Sequence, residues 1–166
     1  KKISTHNYYK EIKKIYKSNN ISIIYYNKPF NYSSINNFAF KFARGEVILF
    51  LNNDIEFICN NWALELYSNA IRPDVGCVGA KLIYPNKTIQ HAGIVVGISG
   101  TAGHAHKYFK EDENGYQNRI NLMQEVSAIT GAVMAIKKDR FKEIGMFDDE
   151  VFKVNFNDVD LCLRAM

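Results

Sequence analysis

What this sequence lacks narrows its reading first. Its three cysteines, Cys59, Cys77 and Cys162, are odd in number and widely spaced. None belongs to a Cys-x-x-Cys pair, which argues against a disulfide framework or a zinc site and for a reducing compartment. No apolar run approaches the ~20 residues needed to span a bilayer, and the first residues do not read as a signal peptide. The cytoplasm is therefore the expected location. The net charge of +4 is too small to argue for nucleic acid. Only Lys10, Lys13, Lys14 and Lys17 gather, at the helical spacing of a solvated face. A Gly-rich phosphate loop with a nearby basic residue is also missing. What is present, 47% hydrophobic and 23% charged residues in a chain of 166, suits an ordinary globular domain with a sizeable core.

One stretch organises the rest. Gly45-Glu46-Val47-Ile48-Leu49-Phe50-Leu51 is an apolar run that ends abruptly in Asn52-Asn53-Asp54. Without polar alternation it reads as a strand buried on both faces, as in the middle of a parallel sheet. Ligands of open α/β sheets bind beyond the carboxyl ends of such strands. Asn52 and Asp54 stand at that place, and Asp54 offers a hard oxygen to a cation.

The chain in order predicts alternating elements. Tyr8, Tyr9, Ile12, Ile15 and Tyr16 fall at helical spacing among lysines, so Thr5 to about Lys17 is an amphipathic helix ended by Ser18-Asn19-Asn20. Ile21 to Tyr26, β-branched and aromatic, reads as a short strand. Ser33 or Ser34 can cap a helix running to about Ala43, and Gly45 leads into the buried strand. This rhythm is that of a parallel α/β layer. A helix capped by Asn60 or Asn61 and stopped by Pro73 comes next. A strand from Val75 to Ile83 follows, then a turn at Pro85-Asn86-Lys87 and an antiparallel return from Thr88 to Val96. Residues 97–116 are the least regular part. An apolar stretch from Met123 to Ile136 is interrupted at Thr130-Gly131. A short helix then ends at Gly145, and a last helix begins near Asp158.

Two acidic constellations could carry chemistry. Asn52-x-Asp54 and Asp158-x-Asp160 lie about a hundred residues apart, so only folding can unite them. A carboxylate at a strand end can ligate Mg²⁺ or Mn²⁺ and so neutralise phosphate charge. One at a helix N-terminus can act as a general base towards a hydroxyl. Each also has a plain structural explanation, as turn formers after a strand or as acids suited to a helix start. His104-Ala105-His106 would place two imidazoles on one side if extended, a weak metal pair. An exposed loop or polar contacts to a ligand are the other readings of that pair, and His91 reads as a satisfied strand-end histidine. The glycine of Thr130-Gly131-Ala132 allows close backbone approach by another element or by a sugar.

Seven short motifs occur in order. They are Asn36-Asn37-Phe38-Ala39, Ala43-Arg44-Gly45-Glu46, Leu51-Asn52-Asn53-Asp54, Val78-Gly79-Ala80-Lys81-Leu82, Gln90-His91-Ala92-Gly93, Thr130-Gly131-Ala132 and the run from Phe156 to Arg164. This series resembles the family 2 glycosyltransferases with the GT-A fold, especially the rhamnosyltransferase-like branch of bacterial surface-polysaccharide enzymes. The resemblance implies a nucleotide-diphospho-sugar transferase of α/β class, a Rossmann-like mixed sheet flanked by helices. Asn52, Asn53 and Asp54 occupy the place of the family's Asp-x-Asp motif, with Asn52 near the ribose and Asp54 ligating Mg²⁺ or Mn²⁺ on the diphosphate. Asp158 matches the catalytic base, which takes the acceptor's proton in a single displacement with inversion. Thr130, Gly131 and Ala132 would line the donor-sugar and acceptor side, and Asp160 would support the base. The implied partners are a nucleotide-diphosphate sugar and a saccharide or lipid-linked saccharide, with no nucleic acid.

The sequence departs from the family pattern at Asn52, which replaces an acid, and at Asn157, which replaces a Glu and reads as a helix cap. It departs again at Asn36-Asn37-Phe38-Ala39, where the family often has Arg-Asn-x-Gly, a nucleotide contact. The resemblance also implies that residues 1–166 form a single partial catalytic domain. The N-terminal base-reading strands and a C-terminal part, including a downstream His, would be missing. Such a piece would have little activity alone and would leave a sheet edge open to self-association. Two other classes stay open: a nucleotide-binding or nucleotidyltransferase-like domain, and a non-catalytic interaction module.

Overall fold

The computed structural model of the chain describes residues 5–16 and 20–166. Two helices come first, α1 (Thr5–Tyr16) and α2 (Tyr32–Phe40). Lys17 and the Ser18-Asn19 part of the expected helix break lie outside the described residues. Between the helices, Ile21 to Tyr26 is not a strand. No strand among the described residues runs beside it, and propensity without a neighbouring strand makes no sheet.

The cap of α2 is Asn31 rather than Ser33 or Ser34. Asn31 is extended (φ −151°), and its side chain accepts from the Ser34 amide at 2.9 Å. Both serines already sit in the first helical turn, so their hydroxyls are free to reach across the chain. Ser33 Oγ donates to the Phe152 carbonyl and Ser34 Oγ to Asp149 Oδ2, each at 2.5 Å. One turn on, Asn37 donates to the Phe147 carbonyl at 2.8 Å and accepts from the Phe147 amide at 3.1 Å. Each such bond contributes about 1 kcal/mol. Asn37 thus serves as a clasp between α2 and the segment ahead of the last helix.

The apolar run forms β1 (Val47–Leu51), followed by α3 (Trp62–Ala70), β2 (Cys77–Gly79) and β3 (Leu82–Ile83). The expected Val75–Ile83 strand is therefore two short ones, and Thr88–Val96 likewise divides into β4 (Ile89–His91) and β5 (Ile94–Val96). Then come β6 (Ala102–His104), β7 (Val133–Lys137), α4 (Lys138–Glu143) and α5 (Asn157–Ala165). The main sheet has the order β1-β7-β2, with β3-β4 and β5-β6 as separate antiparallel pairs.

β7 runs antiparallel to both its neighbours, which corrects the expectation that β1 lies within a parallel layer. A continuous apolar run reports that both faces of a strand are covered, and says nothing of the direction of its neighbour. The covering itself is as expected. Ile48, Phe50, Met134 and Ile136 face one core with Phe40, Phe141, Phe147 and Leu161. On the opposite face Val133 and Ala135 join Leu66 and Ala70 of α3, with Val47, Leu49 and Trp62 packed against them. The phenylalanines interlock at 4.9 to 5.4 Å between ring centroids in tilted and edge-on contacts. The fold is the expected mixed α/β class. The outer edge of β1 carries no ladder partner among the described residues. No helix among them is long and apolar enough to cross a membrane.

Candidate active site

The antiparallel pairing of β1 with β7 builds the site. Leu51 is opposite Val133, so the carboxyl end of β1 meets the residues that enter β7. The Asn52 amide donates to the Ala132 carbonyl at 2.9 Å. Asn52-Asn53-Asp54 and Thr130-Gly131-Ala132, 78 residues apart in number, are thereby neighbours. Asn52 is half-buried, whereas Asn53 and Asp54 are exposed in a turn.

The start of α5 closes on the same place. Phe156 takes a left-handed conformation (φ 60°) and turns the chain into the helix. Asn157 is not the cap that the sequence suggested. It is buried, and its side chain donates back to the Val154 carbonyl at 2.8 Å, bracing the turn. Asp158 Oδ1 accepts from the Val159 amide and Oδ2 from the Gly131 amide, both at 2.9 Å. Backbone donors at a helix N-terminus suit a carboxylate and fix its direction.

The peptide at Gly131 is gripped from both sides, because Tyr32 Oη donates to the Gly131 carbonyl at 2.9 Å. A Cβ on Gly131 would stand 3.1 Å from that hydroxyl, so a side chain there would press the tyrosine back by a few tenths of an ångström. Burial, and secondarily the Asp158 charge, push the Tyr32 hydroxyl up to about 12, which keeps it a neutral donor. Tyr32 had no signal in the sequence beyond an aromatic beside a helix start. Its partner is 99 positions away.

Asp160 does not approach this point. It holds Arg164 at 3.0 and 2.6 Å, and Arg164 in turn donates to the carbonyls of Ile144 and Met146. Its support is structural, tying α5 to the turn after α4.

Beside Asp158 lies a cavity of about 370 Å³ whose walls include Ile94, Gly103, His104, Phe156 and Val159. His104 does not pair with His106 as an extended segment would have it. The chain turns at His106 (φ 55°), and His104 Nδ1 instead lies 2.8 Å from His91 Nδ1. His91 is a satisfied strand-end histidine, only 1% exposed. Its Nε2 accepts from the amides of Gly93 at 3.3 Å and Thr130 at 3.4 Å.

Burial, and then His104, lower the pKa of His91 from 6.5 to about 4. The unfolded chain therefore binds a proton at a pH where the folded protein refuses it. Above the unfolded value the two states match. As the pH falls towards the folded value, stability is lost. At pH 5, where carboxylates remain largely ionised, the expected loss from this residue is about 2 kcal/mol relative to pH 7. Urea unfolding at the two pH values measures it, and an unshifted midpoint would contradict a buried neutral His91.

The fit of a divalent cation rests on Asp54. Its carboxylate makes no hydrogen bond or ion pair with the described residues, and it is exposed at the strand end. Among the described residues no three His, Cys, Asp or Glu side chains gather as a ligand set. Among the described residues the strand end therefore offers the free carboxylate of Asp54 rather than a cage. That suits Mg²⁺ or Mn²⁺, which commonly take one or two carboxylates and complete their shell with waters and substrate phosphates.

Comparison with known proteins gives the chain a family. Residues 3–145 match the profile described as Glycosyl transferase family 2. The chain is 45% identical over 138 residues to the uncharacterized protein y4gI of Sinorhizobium fredii (strain NBRC 101917 / NGR234), covering 83% of this chain and 15% of that protein. It is 42% identical over 139 residues to the O-antigen biosynthesis protein RfbC of Myxococcus xanthus, covering 82% of this chain and 11% of that protein. The chain thus spans a small part of the length of both relatives.

Proposed function

Because the chain belongs to glycosyl transferase family 2, we propose that the full-length protein moves a sugar from a nucleotide-diphosphate donor to a hydroxyl acceptor. The acceptor is a saccharide or lipid-linked saccharide in bacterial surface-polysaccharide synthesis, handled at the cytoplasmic side of the membrane. The O-antigen relative supports that setting. Family membership favours transfer over the nucleotidyltransferase-like and non-catalytic readings, and agrees with a GT-A domain.

The observation that carries the mechanism is the anchored carboxylate of Asp158 beside a cavity. Each of its oxygens accepts one backbone N–H, which leaves further acceptor capacity on both for a substrate hydroxyl. In this reading Asp158 takes the proton of the acceptor hydroxyl as that oxygen attacks the anomeric carbon. The carbon–oxygen bond to the diphosphate breaks, and the nucleoside diphosphate leaves with the bonding electrons. One displacement inverts the anomeric centre.

Asn52, Asn53 and Asp54 hold the donor beyond the end of β1, with Asn52 towards the ribose and Asp54 towards the diphosphate. Thr130, Gly131 and Ala132 form the adjoining wall on the sugar side. A Mg²⁺ or Mn²⁺ ion, when bound, supplies positive charge against the diphosphate. The protein's part is to hold Asp54 unpaired and outward. Asn52 in place of an acid leaves one charge fewer here than an Asp-x-Asp pair would bring.

The test is transfer by the full-length protein from a panel of uridine, guanosine and thymidine diphosphate sugars, with the product's anomeric configuration read by NMR. Inversion is expected. Retention would overturn the single displacement.

A further inference from the structure

Three segments converge on the His91 ring and decide where its proton sits. Nε2 accepts from two backbone amides, Gly93 and Thr130, so it presents a lone pair. The single ring proton is therefore on Nδ1. Across 2.8 Å from it lies His104 Nδ1, which must then accept. His104's own proton is left on Nε2. A second proton on His91 would point at two amide hydrogens. A second proton on His104 would oppose the His91 Nδ1–H. Both rings are held neutral, each in one tautomer.

The groups around His104 are His91 from β4, Lys107 from the turn after β6, and Asp158 from α5. Burial and Lys107 lower its pKa, while Asp158 acts in the opposite sense. His104 Nε2 has no hydrogen-bond partner among the described residues, and His104 is among the residues that line the same cavity as Asp158. The neutral state matters here. An imidazolium at His104 would pair with the Asp158 carboxylate and compete with the substrate hydroxyl that it must receive.

We propose that the His91–His104 pair is a tautomer lock that holds His104 Nε2–H as a neutral donor in the cavity beside Asp158. There it binds a hydroxyl oxygen of the acceptor saccharide adjacent to the hydroxyl that Asp158 deprotonates. The pair of groups, one donor and one carboxylate, selects an acceptor ring with vicinal hydroxyls. His104 is thus a substrate-positioning and specificity residue, and His91 is a positioning residue that acts through it. This rests on the reading of Asp158 as the base.

The lock is tested without substrate on ¹⁵N-histidine-labelled full-length protein, by two-bond ¹H–¹⁵N correlation spectra between pH 8 and pH 5.5. The expected spectrum shows His91 protonated on Nδ1 and His104 on Nε2, unchanged across that range. An Nδ1–H tautomer or an imidazolium at His104 overturns it.

The binding role is tested with methyl α-D-glucopyranoside, methyl α-L-rhamnopyranoside and their monodeoxy analogues. The parent glycosides should shift the His104 resonances saturably, and loss of one vicinal hydroxyl should weaken binding about tenfold, the cost of about 1.4 kcal/mol. His104→Ala, followed through ligand-induced backbone amide shifts, should erase that discrimination. His104→Gln, whose amide N–H reaches the place of Nε2, should keep it. Absence of any shift, or discrimination unchanged in His104→Ala, overturns the proposal. Asp158→Asn separates the two readings. Turnover that persists in Asp158→Asn refutes the base, and with it the placing of the second hydroxyl, whereas lost turnover with intact His104 shifts supports both.

Discussion

Asp158→Asn in the full-length protein is expected to lower kcat by about 10²- to 10⁴-fold, the range that a positioned general base contributes. The substitution keeps the side chain's shape and one carbonyl acceptor, but removes the group that can take a proton. Two backbone amides, Gly131 and Val159, now share the two carboxylate oxygens. Asparagine can serve one of them, so the structural cost is one hydrogen bond, about 1 kcal/mol. Steady-state transfer and urea unfolding, measured on the same preparation, separate the two effects. A large fall in turnover with a small fall in stability is the expected pair. Unchanged turnover would remove Asp158 from the reaction.

Asp54→Ala is expected to abolish the Mn²⁺-dependent part of nucleoside diphosphate binding, weakening it by at least about 100-fold. Loss of groups that merely orient metal ligands costs 10- to 100-fold, and Asp54 is proposed as a ligand itself. The side chain is exposed and engages nothing among the described residues, so stability should stay within about 0.5 kcal/mol. Calorimetric titration with uridine, guanosine and thymidine diphosphates, with and without Mn²⁺, reads the effect. Binding that persists undiminished would show that no cation is held by this carboxylate. The same titration on the unsubstituted protein shows whether Asn52 leaves the cation affinity adequate.

The resemblance carried by ordered short motifs is legible in the chain alone, because each motif combines a local backbone need with a side chain of definite chemistry. The strand from Val47 to Leu51 was legible for a simpler reason: Val, Ile, Leu and Phe without interruption require cover on both faces. Other local readings failed where they depended on partners. Ile21 to Tyr26 has strand composition but no neighbouring strand among the described residues. Asn157 looks like a cap by residue type, yet the cap position belongs to Phe156, and Asn157 spends its amide on Val154. Ser33 and Ser34 look like caps too, but they lie two and three residues past the Asn31 cap and bind the 149–152 segment instead.

By itself the sequence determined the α/β class, the family likeness, and the residue types at the two acidic motifs, since hydrophobic periodicity and side-chain chemistry are properties of the chain locally. It could not bring those motifs together. Asn52, Thr130 to Ala132 and Asp158 meet only because β7 runs antiparallel to β1 and α5 points its N-terminus at Gly131. Strand direction is set by how the whole chain returns, and periodicity is blind to it. The Tyr32 contact and the His91–His104 pair were likewise decided by tertiary structure. A hydrogen bond with an orientation, and the tautomer it imposes, exists only between groups whose relative placement folding has already fixed.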